Sequence, residues 1–193
     1  MGIHFNVETM QQKTEMTCVP TVIWMMHRWY LDRIGLRNND PIFDPIVNAS
    51  RAQILAQERQ LNQVGQSLAV GLNEKDIGAF VRKLGLNSDS IPSTPESFEN
   101  QLRAHGPFVY VESIPNDRLP IDLLLKAIGQ GSRYSHAILI TGIDKKHSVN
   151  YIAFNDPATG LRHHLEFYDF VTNEHKPLRG LESSFIICLT EKI

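Results

Sequence analysis

Four positions in the 193-residue sequence carry side chains suited to acyl transfer. Cys18 stands in the segment QQKTEMTCVPT, where an apolar helical pattern begins. A thiol at a helix N-terminus meets unsatisfied backbone N–H groups and the positive end of the macrodipole, and both favour the nucleophilic thiolate. His136, in RYSHAILITGID, heads an apolar strand after a loop holding Gly129 and Gly131, which sets an imidazole at a sheet edge. Asn155-Asp156 closes the strand that follows. With a turn centred near residues 146–148, antiparallel pairing puts 136 opposite about 158 and brings Asp156 within one or two pairs of His136. A carboxylate there is expected to hold the ring through its Nδ1–H. Gln12, six positions before Cys18, and its neighbour Gln11 are the amides able to join the Cys18 N–H in stabilising an oxyanion. Each residue also fits an ordinary structural role: free cysteines are usually buried, and Asp-Pro before Thr-Gly is good turn chemistry.

The elements that must position these groups fall into two kinds. From Cys18 to Ile34 apolar residues recur at spacings of three and four, with Pro20 in the first turn and Gly35 as a stop. Further helices are expected over Pro45–Leu61, over Glu74–Leu84 between Asn73 and Gly85, and over Pro95–Ala104 behind a Ser93/Glu96 capping box. Strands follow at Pro107–Ile114, His136–Ile143, Val149–Phe154, Leu161–Phe167 and Ser184–Thr190, with a tight turn at Asp156–Gly160 and a short helical turn near Tyr168–Asn173. Helices first and antiparallel strands afterwards give an α+β fold. A helical lobe over about 1–105 packs on a sheet lobe over about 106–193, in one domain.

Composition narrows the partners. Lys and Arg number 19 against 21 Asp and Glu, spread evenly along the chain, so no basic half suits nucleic acid or an anionic membrane. The opening MGIHFNVETM has neither the basic and apolar regions of a signal peptide nor a myristoylation signal, and no apolar run is long enough to span a bilayer. The expectation is synthesis in the cytoplasm, with any export by a leaderless route. Two cysteines make neither a disulfide framework nor a zinc ribbon, and Cys188 in SFIICLT reads as an inert core residue. His163, His164 and Glu166 are too close along one strand to converge on an ion, so neither a metal nor a cofactor is expected.

The order Gln, Cys at a helix start, strand-borne His, then Asp on the next strand resembles that of papain-like cysteine peptidases. The resemblance covers most of the chain. It is closest to compact bacterial members, the double-glycine peptidase domains that process bacteriocins and the secreted papain-like effector proteases. The shared pieces read Gly106-Pro107-Phe108-Val109-Tyr110, His136-Ala137-Ile138-Leu139-Ile140-Thr141-Gly142 and Asp156-Pro157-Ala158-Thr159-Gly160. The resemblance implies a papain-like fold with Cys18 as nucleophile, His136 as general base, Asp156 as orienter and Gln12 as oxyanion donor, the Gln-x5-Cys spacing being the family's own. It implies hydrolysis of a peptide or isopeptide bond in a peptide or protein substrate, and a bacterial effector or toxin as a setting. Transglutaminases, deamidases and arylamine acetyltransferases use the same residues in the same chain order, so acyl transfer to an amine is the alternative chemistry. A fold of this kind that only binds a peptide partner is the alternative without turnover.

Overall fold

The segments Phe108-Val-Tyr-Val, Ala137-Ile-Leu-Ile and Phe185-Ile-Ile-Cys-Leu are apolar at every position. A strand of that kind needs cover on both faces. The computed structural model describes residues 2–12, 18–33, 86–114, 134–175 and 183–189, and within them it supplies that cover. The strands are β1 (Ile3–His4), β2 (Leu86–Pro92), β3 (Phe108–Ile114), β4 (Tyr134–Lys146), β5 (Val149–Asp156), β6 (Leu161–Glu166) and β7 (Ser183–Leu189). They form one antiparallel sheet in the order β2-β7-β3-β4-β5-β6, with β1 added to β4.

On one face lies α1 (Cys18–Arg33), which buries Val19, Val22, Ile23 and Met26 against Val109, Val111, Ala137, Leu139 and Ile187. On the other lies α2 (Pro95–His105), joined by the single turn α3 (Phe167–Asp169) and a π-helical turn at Phe170–Glu174. Phe98 and Leu102 of α2 meet Phe108, Tyr110, Ile138, Ile140 and Phe154 there, together with Cys188. Alternate residues of each strand therefore serve different cores, and the α+β class read from the sequence is the class observed. The helices expected over 45–61 and 74–84 lie outside the described residues. Among the described residues no helix is long and apolar enough to cross a membrane.

Three local features depart from the sequence expectation. The sheet is not confined to the chain after residue 106, because β1 and β2 enter it from the first half. Strand β2 reads Leu-Asn-Ser-Asp-Ser-Ile-Pro, poor in strand formers, and is held by its seven-pair register with β7 rather than by propensity. The N-cap of α2 is Thr94, whose hydroxyl accepts from the Ser97 N–H at 3.2 Å, while Ser93 turns away to share a 2.8 Å hydrogen bond with Ser184. The third feature is a β-bulge. The register of β4 on β5 slips between Ile140 and Gly142, at Thr141.

That bulge sets the site. The β4–β5 hairpin turns on His147 and Ser148, both at positive φ (47° and 69°), as a tight two-residue hairpin loop demands. From Lys146↔Val149 the pairing runs to Gly142↔Ala153; beyond the extra residue it resumes at Ile140↔Phe154 and Leu139↔Asn155. The extra residue reverses the parity of the strand, so Ile143 and Ile140 both reach the α2 core. It also brings Asp156 one place nearer His136 than an unbroken ladder would.

Phe98 is fully buried and its ring meets Phe108, Tyr110 and Phe167 at 5.3, 5.8 and 5.1 Å between centroids. Phe98→Ala is expected to lower the unfolding free energy by about 3–5 kcal/mol. Urea titration checks this, as a fall in midpoint with an unchanged slope.

Candidate active site

The N-terminal segment is built into the sheet before it reaches the site. Pairing of β3 with β4 begins at Phe108↔Ile140, and β1 continues along the same edge with His4↔Gly142 and Ile3↔Ile143. The Phe5 N–H then donates to Thr141 O at 2.8 Å. Arg162 Nη2 reaches both Phe5 O and Val7 O at 3.2 Å, and Asn155 Nδ2 donates to Val7 O at 3.3 Å. The segment ends with the Gln12 N–H donating to Pro157 O at 2.7 Å. Residues 5–12 are thus fastened to β4, to β6 and to the turn after β5.

Cys18 is the first residue of α1, buried, and hydrogen-bonded to His136. His136 Nε2 lies 2.8 Å from Asp156 Oδ1, with 7% and 15% of the two side chains exposed. The sequence expectation had the carboxylate on Nδ1; the contact is through Nε2, which leaves Nδ1 as the ring atom for the thiol. Asp156 Oδ1 also accepts the Ala158 N–H at 2.8 Å, an Asx turn that fixes the carboxylate before the imidazole arrives. Asn155, the neighbouring candidate, is fully buried and committed to Val7 and Arg162. The structure therefore brings Cys18, His136 and Asp156 into one chain of contacts.

The two glutamines differ. Gln11 is exposed and its Nε2 reaches Ala158 O at 3.4 Å. Gln12 is half-buried, and its buried Oε1 has no hydrogen-bond partner among the described residues. Its backbone is tied to the turn after β5, while its side-chain oxygen stays unpaired among the described residues. Of the histidines on β6, His163 stacks on Phe154 and His164 on His4. Among the described residues no three His, Cys, Asp or Glu side chains are grouped to hold a metal ion.

Burial penalises the imidazolium of His136, yet the hydrogen bonds to Asp156 and Cys18 and the charges of Cys18 and Glu112 outweigh it. Its pKa is pushed up to about 10. Burial likewise opposes ionisation of Asp156, but the hydrogen bond and charge of His136 and the Ala158 N–H prevail and hold its carboxyl below the usual range. Each partner keeps the other charged.

A second buried pair stands behind the first, and sequence reasoning did not find it. Glu112 on β3 is the cross-strand partner of His136, is 2% exposed, and contacts His175 Nδ1 through Oε2 at 2.5 Å. The His175 carbonyl accepts the Tyr110 hydroxyl at 2.7 Å, and its ring packs on Phe154 and Phe170. One signal was present: in PFVYVESI, Glu112 keeps the parity of Phe108 and Tyr110, so a carboxylate was bound for the apolar face. His175 gave no such signal.

Two measurements test this electrostatic arrangement. Unfolded histidine titrates near pH 6.5, whereas folded His136 keeps its proton to about pH 10. The stability it contributes is full below about pH 6.5 and is lost as pH rises from there towards 10. The urea midpoint should fall across that window in wild type and stay flatter in His136→Gln. His175→Ala leaves Glu112 buried without its partner and should cost about 3 kcal/mol by chemical denaturation, the lower end for a broken buried pair.

The family model described as papain-like cysteine protease AvrRpt2 matches residues 1–175. Among curated proteins no relative matches. Among solved structures, the chain is similar to a double glycine motif protease from an AMS/PCAT transporter, crystallised in complex with its leader peptide. The TM-score is 0.52 at 17% identity, over 97% of this chain and 95% of that one, which is a likeness of fold. With nine-tenths of its length matched by the family model and the papain-like fold shared from end to end, the chain belongs to the family of the papain-like cysteine protease AvrRpt2 and is a cysteine protease.

Proposed function

We propose that this protease cleaves a peptide or isopeptide bond with Cys18 as nucleophile, His136 as general base and acid, Asp156 as orienter, and Gln12 with the Cys18 N–H as oxyanion donors. The observation that carries the reading is the unbroken chain from Cys18 through His136 to Asp156, closed by the 2.8 Å contact at Nε2. An imidazolium held by a buried carboxylate is the counter-charge a thiolate at a helix N-terminus requires.

The reaction runs in two steps. Cys18 Sγ attacks the scissile carbonyl, a C–S bond forms, and the carbonyl oxygen takes up the negative charge beside Gln12 and the Cys18 N–H. His136 gives its proton to the leaving amine as the C–N bond breaks, leaving a thioester. Water then loses a proton to His136 and attacks the thioester; the C–S bond breaks and the carboxylic acid departs. Water is the only co-substrate. Asp156 stays ionised throughout and keeps the ring in one orientation. A leader peptide bound to the structural neighbour supports a peptide as the substrate class here. A bacterial effector is the setting we propose for it, on the resemblance of its motifs to secreted papain-like effectors.

Cys18→Ala should abolish hydrolysis of a fluorogenic peptide found by mass spectrometry of digested peptide libraries. Gln12→Ala should slow it by about 10²–10³, the usual cost of one oxyanion donor. At pH 6 iodoacetamide should alkylate Cys18 far faster than the buried Cys188 or a free thiol, and His136→Ala should erase the difference. Cys18 labelling no faster than an ordinary thiol overturns the reading. For the effector role, growth of cells expressing wild type should be arrested where Cys18→Ala is harmless; equal growth counts against it.

A further inference from the structure

Asp156–Gly160 is more than the loop that ends β5. Its first residue presents Oδ1 to His136 Nε2 and to its own Ala158 N–H, both at 2.8 Å. Its far side carries the glutamines: Pro157 O accepts the Gln12 N–H at 2.7 Å, and Ala158 O accepts Gln11 Nε2 at 3.4 Å. The turn is closed by the Gly160 N–H on Asp156 O at 2.8 Å, with Thr159 Oγ1 capping the Leu161 N–H at 3.2 Å. At Gly160 the backbone of the turn presses directly on the N-terminal segment. A Cβ there would stand 2.8 Å from Gln11 Cβ and 3.3 Å from both Gln11 Cα and Gln11 N. Glycine is thus required twice, by that approach and by a φ of 70°.

We infer that Gly160 is a positioning residue of the protease: by letting the Asp156–Gly160 turn lie flush against Gln11, it fixes the Gln12 amide at the oxyanion while the same turn fixes Asp156 at the imidazole. The inference rests on the oxyanion role proposed for Gln12. The two halves of the turn act on different parts of the reaction. Asp156, through His136, governs how readily Sγ attacks anything; Gln12 matters only when the attacked carbon carries an oxygen that becomes an anion. A side chain at 160 lifts residues 11 and 12 from the turn and leaves the Asp156 contacts in place. A displacement on the order of 1 Å in a group that must meet a transition state costs about 10²-fold in rate.

The two effects separate with two probes on the full-length protein. Iodoacetamide alkylates Cys18 by displacing iodide at a saturated carbon, and no oxyanion forms. p-Nitrophenyl acetate acylates Cys18 through a tetrahedral oxyanion, with an S–C bond made and p-nitrophenolate released. Gly160→Asn is the preferred variant, since asparagine tolerates positive φ and the new Cβ still meets Gln11. It should slow acylation at least tenfold while leaving alkylation within twofold of wild type. Gln12→Ala should do the same, and Gly160→Asn combined with Gln12→Ala should be no slower than Gln12→Ala alone. If Gly160→Asn melts below the assay temperature, Gly160→Asn/Gln11→Gly removes the Cβ it strikes and should restore both folding and acylation.

Wild-type acylation in Gly160→Asn overturns the inference, and so does a loss that multiplies with that of Gln12→Ala. An equal fall in both reactions also overturns it, because the turn would then act through Asp156 alone. A wild type that acylates no faster than Cys18→Ala overturns instead the catalytic reading on which the inference stands.

Discussion

The contact between His136 and Asp156 is made where water hardly reaches, and that constrains everything around it. A buried imidazolium without a carboxylate, or a buried carboxylate without its cation, is expensive enough to lose its charge. The pair persists as charges only while the two side chains meet at hydrogen-bond distance. That distance depends on the register of β4 on β5, on the two-residue hairpin that starts the register, and on the bulge at Thr141 that corrects it. The bulge leaves a cost behind, for the Thr141 hydroxyl is buried with no partner among the described residues. Packing shares in the constraint: α1 is held against β3 and β4 by the core that contains Cys18 itself.

The charges extend beyond the three residues assigned to the reaction. Glu112 and His175 repeat the motif of a carboxylate on an imidazole, and each acts on a member of the first pair. Glu112 favours the protonated His136, and His175 favours the ionised Asp156. Two carboxylate–imidazole contacts therefore lie side by side across β3, β4, β5 and the residue that caps the π-helical turn. The π-helix places the His175 carbonyl under the Tyr110 hydroxyl and its ring among Phe154 and Phe170, so the outer pair is locked by aromatic packing. Local helix irregularities of this sort often mark functional positions.

Much of this arrangement was legible in the residues, for identifiable reasons. The α1 pattern is strongly periodic, and the apolar runs at Phe108, Ala137 and Phe185 are bounded by clear breaks, so those elements were found with ends within about three residues of those observed. Asp156 could be placed near His136 because a short turn in a hairpin fixes the pairing by arithmetic. Strand β2 escaped because its serines, asparagine and aspartate carry no strand preference, and β1 because two residues hold no period. Thr94 took the cap from Ser93 because a distant partner, Ser184, claimed the Ser93 hydroxyl. The ring atom facing Asp156 was misjudged because it depends on the direction from which β5 approaches, a three-dimensional fact that strand order does not encode.

The N-terminal segment is fastened by contacts that are among the longest in sequence: Val7 to Asn155 and Arg162, and Gln12 to Pro157. Protein synthesis is vectorial, so the cysteine and its helix leave the ribosome long before the residues that hold Gln12 and orient His136. Until the chain through Arg162 has emerged there is a thiol, but the N-terminal segment lacks the contacts that fasten it. The topology thereby makes assembly of the Cys18–His136–Asp156 cluster a late event in the birth of the molecule, and a translation product truncated before β5 carries the cysteine and the imidazole without the carboxylate.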